Sequence, residues 1–209
     1  MFKVFFLIFE PTVTWDRVAL KQRGFGYIFF TYLLPFVLLA TAVEGWGLAT
    51  YGKWQPKVQR IREFSDTTVF RFEIIQALLL LAVVFVSAKL LQIASESFHG
   101  RRDFLPTFTT VAYGFSPMLL VYMFNASPNI SPWIPWGLGV AATIWILYTG
   151  IARVLQPLPV HAFGIYLSAA FIVVLVSGLA RLITAMYLLG QINLQQSPVT
   201  RLIGQWLGQ

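Results

Sequence analysis

Five long apolar runs occupy most of this 209-residue chain, and they constrain its fold more than any other feature. A helix rises about 1.5 Å per residue and the hydrocarbon core of a bilayer is about 30 Å thick, so a spanning helix needs roughly 20 apolar residues. The runs cover about 26–48, 74–93, 109–124, 134–155 and 162–189. Amides in lipid find no water, so each run must close its hydrogen bonds internally as a helix, and the alternation of a barrel strand is absent. Hydrophobic residues make up 57% of the chain and charged residues 11%, whereas an ordinary soluble domain carries about a quarter charged residues. The expected fold class is all-α: a polytopic transmembrane bundle of five helices over 26–189, with interfacial amphipathic segments at 1–25 and 190–209. The third run is the shortest, with about 16 apolar residues around Pro117, and a membrane-buried hairpin made with the fourth run is its competitor.

The opening residues do not read as a secretory signal. Val4 to Phe9 run into Glu10-Pro11, whereas a signal needs about 7–15 apolar residues ending at a small-residue cleavage site. The expectation is an interfacial arm, with Phe2, Phe5, Phe6, Phe9 and Trp15 in the headgroup layer. Lys3, Arg17, Lys21 and Arg23 then face water and anionic lipid. Trp15 and Arg17 are its anchors. In the tail, Ser197-Pro198 marks a helix start, after which Leu202, Ile203, Trp206 and Leu207 share a face, and Trp206 is the matching anchor. A partner-binding tail is the other reading.

Lys and Arg outside the lipid set the orientation. The arm holds four, Arg101 and Arg102 follow the second run, and Lys89 and Arg153 lie at helix ends on the same side. Against them stand Lys53, Lys57, Arg60, Arg62, Arg71 and Arg201. The balance favours a cytoplasmic N-terminus by a small margin, and the short arm points to a bacterial inner membrane. The net charge of +7 suits anionic headgroups, and nothing clusters into a nucleic-acid footprint. The absence of cysteine rules out disulfides and thiolate metal sites.

A charge inside lipid costs a few kcal/mol or more, so it calls for a reason. Glu44 in the first run and Arg181 in the fifth each lie about 18 residues, roughly 27 Å, from the cytoplasmic side. They form a candidate intramembrane ion pair; alternatively Glu44 sits in the outer headgroup layer and Arg181 snorkels. Lys89 and Arg153, near the opposite surface, are expected to snorkel. In the third run, Pro117 removes a helical amide and clashes with the carbonyl of Tyr113. A kink is expected unless Ser116 or a neighbouring helix satisfies the backbone again. Gly114 allows another helix to approach closely, and Tyr113, Gly114 and Pro117 read as a packing site or, alternatively, a gate. Gly137, Gly139, Ala141 and Ala142 offer a similar small-residue face in the fourth run.

The segments Phe98-His-Gly-Arg-Arg-Asp-Phe104, Tyr113-Gly-Phe-Ser-Pro117 and Trp145-Ile-Leu-Tyr-Thr-Gly150, in this order among five apolar runs, resemble the Yip family of five-span membrane proteins. The opening Phe9-Glu-Pro-Thr-Val-Thr-Trp15 is similar to that of its short prokaryotic members. The resemblance implies a helical membrane domain with the N-terminus in the cytoplasm and the C-terminus on the other side. Eukaryotic members bind prenylated Rab-type GTPases. The long acidic arm with an Asp-Leu-Tyr-Gly-Pro motif is missing here, so Rab binding is not carried over.

No catalytic constellation is legible. Glu96 and His99 stand three apart, a metal-ligand spacing, but di-metal bundles require that motif from two helices plus further carboxylates. Gly24 and Gly26 lack the context of a nucleotide fingerprint, and no Gly-x-Ser-x-Gly elbow exists. The expectation is a non-enzymatic scaffold or adaptor without cofactor or metal. Its partners are the bilayer, anionic lipids, and another membrane protein or further copies of itself. A subunit of an oligomeric transporter or channel is the alternative, with Glu44, Arg181 and the Pro117 kink as pathway elements.

Overall fold

The computed structural model describes residues 3–55, 59–98 and 103–188. Two short helices, Lys3–Phe9 and Pro11–Lys21, form an N-terminal arm. Five helices long and apolar enough to cross a membrane follow, at Phe25–Tyr51, Asp66–Ser97, Phe104–Ala126, Trp133–Leu155 and Ala162–Leu188. Between the first and second spans a small hairpin, β1 (Lys53–Gln55) and β2 (Arg60–Arg62), pairs antiparallel with Lys53 opposite Arg62. The tail, including Trp206, lies outside the described residues, as does His99.

The third span begins at Phe104 rather than near Thr109, and it is the centre of the bundle. Its most apolar stretch is 72% buried, against 28% for the fifth span. The same position explains its weak hydrophobic signal. A helix surrounded by protein needs less lipid-facing apolar surface, and its mean hydropathy is 1.3 where the second span reaches 2.5. Threonines 107, 109 and 110 are tolerated there because each hydroxyl donates to the carbonyl four residues back.

Two prolines shape the helices. Pro117 has no amide for the carbonyl of Tyr113, and the third span breaks at Phe115 (φ −76°, ψ −4°) before resuming at Ser116. The orphaned carbonyl is satisfied locally, since Ser116 Oγ donates to Tyr113 O at 2.6 Å. In the first span, Pro35 leaves the carbonyl of Thr31 without its helical donor, and one π turn, Phe29–Leu33, sits immediately before it.

Close approach fixes the far end of the bundle. A Cβ on Gly47 would stand 2.3 Å from Ala126 O and 2.4 Å from Ala126 Cα, which are backbone atoms that cannot rotate away. Gly47→Ala is expected to cost about 1–3 kcal/mol by overpacking. Gly137→Ala, where nothing lies within 4 Å, is expected to be neutral. Thermal unfolding of both variants in the same detergent checks the contrast, and equal melting would remove this contact as a constraint.

Candidate functional site

The polar side chains that most need explaining gather at one end of the bundle. Glu44, Glu73 and Arg181 each lie about seven residues, roughly 10 Å, inside the span ends Tyr51, Asp66 and Leu188. Chain direction alternates, so these three ends share the face opposite the arm. Glu44 is 0% exposed and Arg181 2% exposed. Both lie inside the protein, neither in a headgroup layer nor snorkelling.

Arg181 is held by protein acceptors on three residues. Its Nε and Nη2 donate to Pro132 O at 3.0 and 2.8 Å, Nη2 donates to Asn125 Oδ1 at 2.8 Å, and Nη1 donates to Tyr122 Oη at 2.5 Å. The guanidinium also lies 4.8 Å from the centre of the Tyr122 ring, within cation–π range. A planar fork with several fixed donors matches this set, whereas a lysine's single ammonium does not.

No direct ion pair links Arg181 to Glu44; among the described residues that geometry occurs between Arg153 and Asp16. The two buried groups interact through space, and Gln76 and Arg181 share the Tyr122 hydroxyl. Gln76 Nε2 donates to the Tyr122 hydroxyl and its amide stands beside the Glu44 carboxyl. Both Glu44 oxygens remain without a hydrogen bond in this arrangement. Glu73, whose Cγ would meet a Cβ on Gly45 at 2.8 Å, brings a second buried carboxylate into the field of Glu44. With Lys53 the cluster holds two carboxylates and two cations, so its formal charge cancels. That balance offsets part of the several kcal/mol that each buried ion costs.

Lys53 joins from outside the spans. It is 1% exposed, and its Nζ donates to Asn125 O at 3.0 Å and Ser127 O at 2.8 Å. Trp54 N donates to Pro128 O at 3.2 Å, so the hairpin caps the connection between the third and fourth spans. Burial pushes the Lys53 ammonium down to about 8, against a smaller upward pull from Glu44 and with a further downward push from Arg181. The unfolded lysine titrates near 10.5, so between pH 8 and 10.5 the unfolded chain binds more protons and stability rises with pH. The neutral amine keeps two N–H donors for its two carbonyls. Wild-type melting temperature in detergent is expected to climb from pH 8 to 10 relative to Lys53→Gln. Parallel curves would exclude this titration.

The arm end is built differently. Trp15, expected in the headgroup layer, is 0% exposed inside the bundle. Its ring meets Tyr113 edge to face at 6.4 Å and fills the space left by Gly150, where a Cβ would stand 2.5 Å from the indole. Tyr113 packs on Tyr32 at 4.3 Å, and the Tyr32 hydroxyl donates to Ser116 Oγ at 2.5 Å. Leu147 occupies the space beside Gly114, 2.4 Å from where a Cβ would be. Tyr113 therefore meets the first span and the arm, and Gly114 the fourth span, while Pro117 is buried one turn further on where the helix resumes. Arg153 turns to the arm, pairing with Asp16 and donating to Thr12 O at 3.2 Å. Lys89 remains exposed and donates to Gln92 Oε1 at 3.0 Å. Arg17 is exposed.

Several cluster members escaped the sequence reading. Glu73 precedes the apolar run that starts at Ile74, and Lys53 counted as a loop charge. Glu73 and Gln76 at i and i+3 on one helix face were the available signal. Tyr122, Asn125 and Pro132 resemble ordinary interfacial residues until the third span is seen to end beside the fifth.

Five spanning helices, four of them around a central broken one, with a buried cluster of charged side chains and no group of three or more His, Asp or Glu side chains poised for a metal among the described residues, define a polytopic α-helical membrane protein. The family model for the Yip1 domain matches residues 5–191, and the chain belongs to that family. Yip proteins are generally non-enzymatic membrane proteins. Neither the curated proteins nor the solved structures contain a significant match.

Proposed function

We propose that this chain is a non-enzymatic integral membrane scaffold or adaptor that binds other membrane proteins or organises lipid. Its setting is a bacterial inner membrane with the N-terminus in the cytoplasm. The observation that carries this reading is the immobilisation of Arg181. Four hydrogen bonds to Pro132, Asn125 and Tyr122 hold it, and the cavity beside it measures only about 10 Å³. That is about the space of one water-sized probe, too little for a solute path. On the lipid-facing side, Gly137 and Ala141 stand four apart on the exposed surface of the fourth span. That small-residue spacing suits contact with another membrane helix.

Extraction from the native membrane in lipid discs, followed by mass analysis, tests the reading. A second protein at fixed stoichiometry, lost from Gly137→Ile, is the expected result. A second reading, a transporter subunit, draws on the unbonded carboxylates of Glu44 and Glu73. Solute flux in liposomes that disappears in Glu44→Gln would replace the adaptor with that reading.

A further inference from the structure

Between the arm and the bundle lies a cavity of about 220 Å³ whose wall carries Arg17, Lys21 and Arg23. We infer that this cavity binds the phosphate of an anionic phospholipid headgroup. Among the described residues none of the three cations has an ion-pair partner, since Asp16, the acid nearest in sequence, is engaged by Arg153. Three like charges around one concavity repel one another, and an anion between them relieves that repulsion. Arg23 is half-buried, stacked 4.1 Å over the ring of Tyr27, which holds its guanidinium at the rim.

The apolar side of the cavity favours lipid over a free anion. Phe6, Val18 and Ile28 line it together with the cations, so a phosphate among the basic groups places a glycerol backbone against hydrocarbon. The cavity also lies at the arm end of the spans, where headgroups are found. A neighbouring cavity shares Val18, Arg23 and Thr109 and is lined further by Phe104, Leu105 and Pro106 of the third span, with Asp103 and Arg153 as its own charged groups. The buried Trp15 and the Arg153–Asp16 contact hold the cationic arm over this opening. The site does not depend on the chain having a protein partner.

Native mass spectrometry of the full chain in detergent, titrated separately with dioleoyl phosphatidylglycerol, dioleoyl phosphatidylcholine and inorganic phosphate, tests the inference. One phosphatidylglycerol is expected to be retained at least about tenfold more tightly than phosphatidylcholine, whose choline cation meets the same three basic groups. Neutralising each of Arg17, Lys21 and Arg23 to Gln is expected to weaken retention about fivefold. Lys89→Gln, on another face, is expected to leave it unchanged. Equal retention of the two lipids by the wild type would overturn the inference without recourse to any variant. Displacement of phosphatidylglycerol by inorganic phosphate would assign the site to a free anion instead. A folded triple variant that kept the preference would place the lipid elsewhere.

Discussion

Arg181→Met is expected to destabilise the protein by about 3–5 kcal/mol, the range for removing one member of a buried, hydrogen-bonded ionic cluster. The substitution strips donors from Pro132 O, Asn125 Oδ1 and the Tyr122 hydroxyl together, and leaves Glu44 facing Glu73 with only Lys53 to compensate. Arg181→Lys is expected to recover only part of the loss, because one ammonium cannot reach acceptors arranged around a fork. Glu44→Gln combined with Arg181→Met should cost less than the two single changes added, since each relieves the charge the other exposes. Denaturant or thermal unfolding in a single detergent measures all three. A loss under about 1 kcal/mol for Arg181→Met would mean that water or lipid headgroups satisfy the site, contrary to its burial.

Trp15→Ala is expected to cost a further about 3–5 kcal/mol, as large-to-small changes in tight cores do. Its effect should be directional. The indole is the plug between Tyr113 and Gly150, while Leu7 and Val18 are the smaller arm side chains in the same core, and the Arg153–Asp16 contact is a surface pair worth at most about 1 kcal/mol. The arm should therefore release before the bundle melts, and trypsin should cut after Arg17 and Lys21 much faster than in wild type. Trp15→Phe should be milder, because the Trp15 Nε1 it removes has no acceptor. Unchanged trypsin sensitivity in Trp15→Ala would show that other contacts hold the arm.

The two ends of the bundle differ in how far they could be read in advance. Glu44 and Arg181 stand out in sequence because a charge within an apolar run is costly wherever the run goes. Their surroundings do not, because a lone Tyr122 or Asn125 near the end of an apolar run has the same pattern whether it faces headgroups or an arginine. Trp15 shows the same ambiguity in reverse. An aromatic among basic residues before a span suits the membrane interface and a protein pocket equally, and the pocket exists only because Gly150 lies across from it. The third span was the least distinct run for a tertiary reason, since a helix enclosed by others is released from the need to be uniformly apolar.

The sequence by itself determined that five segments cross the bilayer, because lipid leaves the backbone no hydrogen-bond partner but its own helix. It also determined where the third span breaks, since Pro117 lacks an amide in any surroundings, and Ser116 beside it supplies the replacement donor. Only the tertiary structure decided which side chains meet. Lys53, Glu73 and Arg181 come from three separate parts of the chain, and the arm reaches the fourth span from the opposite end of the sequence order. Such contacts depend on packing among helices in a medium as apolar as their own side chains, where small residues and buried polar groups, rather than hydrophobicity, select the neighbours.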